Sequence, residues 1–140
     1  MAAKTDKVLT DRLARVPLFA KASKKHLKLL AQLGREISQP EGKTFVEQGS
    51  KAHAFYLILD GGVEVTRDGS AVARLHEGDF FGESAMIQGG ERNASVTATT
   101  NSTFFVLSRT AFAGAVKTNP ELSMALLVAM SQRQPSNVAD

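Results

Sequence analysis

Phe55-Tyr56-Leu57-Ile58-Leu59-Asp60-Gly61-Gly62-Val63-Glu64-Val65-Thr66 is the stretch that decides the fold. Its first five residues form an unbroken apolar run rich in strand formers, too short for a helix and closed by a turn-forming Asp-Gly-Gly. Val63 to Thr66 then alternates between apolar and polar, as a strand with one wet face does. Asp68-Gly69 is a hairpin signal, and Ala71-Val72-Ala73-Arg74-Leu75 is the returning strand. Upstream, Pro40-Glu41-Gly42 reads as a turn; downstream, Ala94 to Thr99 and Thr103 to Leu107 read as another strand pair. From about residue 35 to 108 the chain is therefore short strands with turn signals about every 8 to 12 residues. The expected fold is mainly β, a jelly-roll β-barrel.

Helices are expected on both sides of the barrel, giving an α+β chain overall. In the lead, about residues 5 to 33, Val8, Leu9, Leu13 and Val16 fall near helical spacing until Pro17 interrupts them. Ser23 can cap a second helix whose apolar side carries Leu27, Leu30, Ala31 and Leu33, with Gly34 as its stop. His26 on that helix reads as a surface or packing residue. The closing zone, about 109 to 134, has a short helix around Ala111, Phe112, Ala115 and Val116, and a second opened by Pro120 and running to Arg133. Leu122, Met124, Ala125, Leu126, Leu127, Val128 and Met130 are too many apolar residues for one face of that last helix. The barrel, a bound ligand or a partner chain must cover the surplus.

A chain of 140 residues suits one domain, here 1 to 140, with a core of its own. The absence of cysteine excludes a disulfide scaffold, Cys-liganded zinc, iron–sulfur clusters and thiol catalysis. The net charge of +3 invites a nucleic-acid reading, but Lys24, Lys25 and Lys28 are accounted for by one solvated helix face. No apolar stretch approaches the roughly 18 residues that span a bilayer, and Met1 to Phe19 lacks the apolar core of a secretory signal. The expected location is cytoplasmic, with no membrane partner.

Gly78-Asp79-Phe80-Phe81-Gly82-Glu83-Ser84-Ala85-Met86-Ile87, followed by Gly89-Gly90-Glu91-Arg92-Asn93-Ala94-Ser95, breaks the strand pattern in mid-barrel. Gly82 permits close backbone approach, and the residues after it can form one helical turn with free N–H groups, which suits an anion. Arg92 follows ten residues later, and its planar fork can grip two phosphate oxygens. Glu83 beside an anion is repelled unless it faces a donor such as a ribose hydroxyl. A Glu and an Arg flanking an anion pocket suggest a sugar phosphate of single net charge. On spacing alone, a Glu/Arg pair nine residues apart is more often a surface salt bridge than a pocket. No Walker loop, GxGxxG or Ser/His/Asp arrangement competes. A jelly-roll metalloenzyme needs clustered ligands, whereas His26, His53 and His76 are scattered without a His-x-His. The expected protein is not an enzyme and carries no metal or cofactor.

The spaced motifs resemble the cyclic nucleotide-binding domain family of catabolite activator proteins, kinase regulatory subunits and cyclic nucleotide-gated channels. Phe81-Gly82-Glu83-Ser84-Ala85 is similar to that family's phosphate-binding cassette and Arg92-Asn93-Ala94-Ser95 to its end. Pro40, Gly42, Phe45, Gly49, Phe55 to Ile58 and Gly61 are similar to its first β segment, and Val16-Pro17-Leu18-Phe19 with Leu27 and Leu30 to its helical lead. The resemblance covers roughly residues 10 to 130. It implies that Glu83 accepts from the ribose 2′-hydroxyl, and that Gly82 with the N–H groups of Ser84 and Ala85 approaches ribose and phosphate. It further implies that Arg92 pairs with the cyclic phosphate while the backbone at Asn93 and Ala94 adds donors. Ser84 stands where the family usually has an apolar residue, and Asn93 where it has Ala, Thr or Ser, so base preference stays open; family frequency favours cAMP over cGMP.

In that family the output is closure of a C-terminal helix over the base. Pro120 to Arg133 is the candidate lid, with Met124, Leu127 and Val128 as candidate base-facing residues, ordinary packing on the barrel being the competing account. No helix-turn-helix follows, so no DNA-binding domain is expected in this chain. The implied protein is a cyclic mononucleotide sensor acting on a protein effector, either standalone or as a fragment of a larger chain. The alternative is an interaction module of the same fold that has lost or changed its ligand.

Overall fold

The computed structural model describes residues 2–20, 22–51, 53–82 and 90–132. Helix α1 (Ala2–Ala14), a single 3₁₀ turn (Pro17–Phe19) and α2 (Lys24–Leu33) lead into eight strands. These are β1 (Arg35–Gln39), β2 (Thr44–Val46), β3 (Ala54–Asp60), β4 (Gly62–Arg67), β5 (Ser70–His76), β6 (Phe80–Phe81), β7 (Ser95–Ala98) and β8 (Ser102–Ser108). Helices α3 (Arg109–Thr118) and α4 (Pro120–Ser131) close the described chain. The strands form two four-stranded antiparallel sheets, ordered β1-β8-β3-β6 and β2-β7-β4-β5. This is the jelly-roll barrel flanked by helices that the alternation of short strands and turns leads one to expect.

Why the middle of β3 (Phe55 to Leu59) and of β8 (Phe104 to Leu107) lacks polar alternation is explained by what lies on each side of their sheet. One row, Ile58, Phe81, Phe104 and Val106, meets Val46, Val63, Val65 and Val96 of the other sheet inside the barrel. The opposite row, Phe55, Leu57, Leu59, Phe80, Phe105 and Leu107, is covered by Leu13, Phe19, Leu27, Leu30, Phe112 and Leu126 of the helices. A strand dry on both faces needs no polar alternation. The second sheet has a wet outer face, where Glu64 and Arg74 sit in register and pair at 3.3 Å. Asp68 and Gly69 both have positive φ (53° and 83°), the backbone of a type I′ turn, and close the β4–β5 hairpin as expected.

Residues 94–99 and 103–107 are not the strand pair that their proximity in sequence implies. Strand β7 pairs with β2 and β4, whereas β8 pairs with β1 and β3. The connection is a corner between sheets, fixed by the buried Ser102 hydroxyl, which donates to the Gly62 carbonyl and accepts from the Gly62 N–H, both at 3.1 Å. Burial agrees with this: β7 hides one row, Val96 and Ala98, while β8 hides both.

The helices form where local signals place them. Ser23 accepts from the His26 N–H at 3.2 Å, Ser108 from the Ala111 N–H at 3.1 Å, and Asn119 from the Leu122 N–H at 3.1 Å, each satisfying an orphan donor of a first turn. Two residues assigned to inner faces lie outside. Leu33 is 52% exposed because it sits about 120° around the helix from Leu27. Val8 is 54% exposed, about 100° from the Leu9–Leu13–Val16 row. On α4 the apolar surplus divides: Leu122 and Leu126 are buried, while Met124 (61%), Leu127 (60%) and Val128 (48%) face outward.

Candidate functional site

Strand β6 ends at Phe81, and Gly82 follows with φ +93°, a conformation that costs any L side chain. The space at Gly82 is as restrictive as its backbone. A Cβ there would lie 2.6 Å from Nη1 of Arg92 and 3.0 Å from the carbonyl oxygen of Ala54. The two ends of the sequence motif, ten residues apart, are thus in van der Waals contact. Glu83, Ser84 and Ala85 lie outside the described residues.

Arg92 is buried, at 5% exposure, which is rare for a guanidinium and demands compensation. Its Nη2 donates to the Ala54 carbonyl. Its guanidinium carbon stands 5.9 Å from the ring centroid of Tyr56, within reach of a cation–π attraction. That ring is braced from behind by Phe81, stacked at 4.9 Å and 7°, and by Phe45 at 5.6 Å, edge on. Burial pushes the Tyr56 hydroxyl above its ordinary pKa, and the positive charges of Arg92 and Arg35 offset only part of that.

The backbone around Arg92 is held as firmly as its side chain. Its N–H donates to the Ser50 carbonyl at 2.7 Å and its carbonyl accepts from the Gly49 N–H at 2.8 Å, beside a Lys51–Glu91 bridge. One residue on, the Asn93 carbonyl accepts from Nε of Arg67 at 3.1 Å. Asn93 is otherwise exposed, and Ala94 is buried in the barrel interior.

The structure therefore brings Gly82 and Arg92 together, with Asn93 and Ala94 continuing on the same segment. It sets the candidate lid residues elsewhere. Met124 and Val128 line a cavity of about 710 Å³ together with Pro17, Leu18, Phe80 and Leu122; Gly82, Arg92, Asn93 and Ala94 are not in its lining. Sequence reasoning missed Ala54 and Tyr56 as partners of Arg92. The signal was faint: Tyr56 is the chain's single tyrosine, lodged in an otherwise hydrocarbon run. Gln48 and Arg67, which fix the loops beside Arg92, gave no signal. Among the described residues, no three His, Asp or Glu side chains gather as metal ligands, and no helix is long and apolar enough to cross a membrane.

A buried guanidinium next to a positive-φ glycine, in a segment whose backbone is tied on both sides, has the chemistry to pair with an anion. The cAMP-dependent protein kinase regulatory subunit of Schizosaccharomyces pombe is 36% identical over 89 residues, 63% of this chain and 22% of that protein. The catabolite activator protein of Thermus thermophilus superposes with a TM-score of 0.75 at 27% identity, over 84% of this chain and 57% of that one. The regulatory subunit of a cAMP-independent protein kinase A from Trypanosoma brucei shares the fold, with a TM-score of 0.84 at 22% identity over 96% of this chain and 48% of that one. The chain thus spans about a fifth of the length of the curated yeast relative. The family model described as the cyclic nucleotide-binding domain matches residues 36–119, more than half of the sequence, and the chain belongs to that family.

Proposed function

We propose that this regulatory domain binds cAMP in preference to cGMP and acts, without chemistry of its own, on a protein effector in the cytoplasm. The observation that carries the reading is the buried Arg92 packed against Gly82, with Ala54 and Tyr56 holding the guanidinium. In the proposed complex Arg92 exchanges the Ala54 carbonyl for oxygens of the cyclic phosphate. The N–H groups of Ser84, Ala85, Asn93 and Ala94 add donors, Gly82 admits the ribose, and Glu83 accepts from its 2′-hydroxyl. Micromolar binding needs about 8 kcal/mol, within reach of a few charge-assisted hydrogen bonds at about 1.5–3 kcal/mol each plus base stacking. Signalling follows if the ligand favours one placement of α4 over another, through Met124, Leu127 and Val128; only a difference in affinity between the two placements can do this.

Calorimetric titration of cAMP and cGMP into the wild-type domain and into Arg92→Ala and Glu83→Ala tests the proposal. The expected result is saturable binding, tighter for cAMP, and nearly abolished in both variants. Heat with neither nucleotide overturns it. That outcome favours the second reading, a protein-contact module of the same fold, for which the outward-facing Met124, Leu127 and Val128 already speak.

A further inference from the structure

We infer that Arg67, at the end of β4, is a positioning residue for the nucleotide site, acting through the Asn93 carbonyl; this rests on the reading just proposed. Two separate stretches converge on residues 92–95. The loop after β2 supplies Gly49, whose N–H donates to the Arg92 carbonyl at 2.8 Å, and Ser50, whose carbonyl accepts from the Arg92 N–H at 2.7 Å. The same loop supplies Gln48, whose N–H donates to the Ser95 hydroxyl at 2.9 Å. The β4–β5 hairpin supplies Arg67, whose Nε donates to the Asn93 carbonyl at 3.1 Å.

Hairpin and loop are themselves clasped. Nε2 of Gln48 donates to Oδ1 of Asp68 at 2.8 Å, and the Asp68 N–H donates back to Oε1 of Gln48 at 2.9 Å. Asp68 takes this pose at a φ of +53°, so the turn that closes the hairpin also presents its N–H to Gln48. Arg67 is the one member of this frame that grips the segment by a charged side chain at Asn93. The carbonyl it holds belongs to the peptide that also carries the Ala94 N–H, so fixing the one fixes the direction of the other. A peptide plane fixed beforehand loses less freedom when an anion binds, which improves affinity without any contact between Arg67 and ligand.

The test compares wild type, Arg67→Met and Arg67→Lys by two readouts. Hydrogen exchange in the ligand-free protein is expected to speed up at Asn93 and Ala94 in Arg67→Met, and to return toward wild type in Arg67→Lys, which keeps a donor. Calorimetry with cAMP and cGMP is expected to show about five- to thirtyfold weaker binding in Arg67→Met and partial recovery in Arg67→Lys. Unchanged exchange at Asn93 and Ala94 overturns the inference, whatever the ligand. Unchanged affinity in Arg67→Met, while wild type binds, overturns it too. Wild type that binds neither nucleotide overturns the role at a nucleotide site together with the functional proposal, and the exchange data then decide separately whether Arg67 orders the segment.

Discussion

Replacing Gly82 with alanine asks one added methyl group to occupy space that the structure shows is taken. Two effects add. A φ of +93° strains an L residue by about 1–2 kcal/mol. In addition, the new Cβ would meet Nη1 of Arg92 at 2.6 Å and the Ala54 oxygen at 3.0 Å. The backbone oxygen cannot retreat, so the guanidinium must, and it thereby loosens the charge-assisted bond to Ala54, worth about 1.5–3 kcal/mol. The total is about 2.5–5 kcal/mol. Gly42→Ala serves as control, because Gly42 has a similar φ of +86° but nothing within 4 Å of its notional Cβ. The difference between the two variants, about 1.5–3 kcal/mol, isolates the contact with Arg92. For 140 residues it corresponds to a midpoint lower by about 5–10 °C. Urea titration and calorimetry of both variants, and of Gly82→Ala in an Arg92→Met background, measure it. The excess should shrink in that background, since the displaced group is gone. Equal losses in Gly82→Ala and Gly42→Ala, or full additivity with Arg92→Met, would refute the packing argument.

Tyr56→Phe keeps the stack on Phe81 and removes a hydroxyl whose pKa burial has raised. In wild type the unfolded chain loses that proton first, so the hydroxyl's contribution is intact below about pH 10 and is lost as pH rises through the higher folded value; the variant should flatten this alkaline decline in urea titrations from pH 8 to 11. Phe105→Ala empties a fully buried position between sheet and helices and should destabilise by about 3–5 kcal/mol, read as a lower urea midpoint with unchanged slope. Asn119→Ala removes the buried cap of α4 and should cost about 1–2 kcal/mol in the same assay. Arg74→Ala breaks a pair whose arginine is 70% exposed and should change stability by less than about 0.5 kcal/mol in 0.15 M salt.

Much of the architecture was legible because burial leaves a local trace. The unbroken run at Phe55 to Leu59 signalled a strand covered on both faces, and Asp68-Gly69 signalled the hairpin that forms. Which sheet a strand joins leaves no such trace: Ala94 to Thr99 and Thr103 to Leu107 look like neighbours, yet they pair into opposite sheets, with the Ser102–Gly62 bonds, 40 residues apart, at the corner between them. The site divides in the same way. Gly82 and Arg92 stood out as residue types in a motif, whereas Ala54 takes part through its carbonyl, which any residue there would supply, and Arg67 through one bond across 26 residues. Main-chain acceptors and single long-range donors are invisible to periodicity. The apolar excess of α4 was legible as an excess, but its outward half at Met124, Leu127 and Val128 was settled only by where the 3₁₀ turn and α3 sit.

Strand β3 works as a bulkhead between two compartments. Phe55 and Leu57 are set among the helices, while Ala54 and Tyr56, their immediate neighbours, look the other way and hold the guanidinium. A rigid ribbon cannot slide one row of side chains and leave the other at rest. The helices and the arm at position 92 thus rest on opposite faces of one ribbon, with the Phe112 ring 4.9 Å from Phe55 on the one side and the guanidinium against Tyr56 on the other.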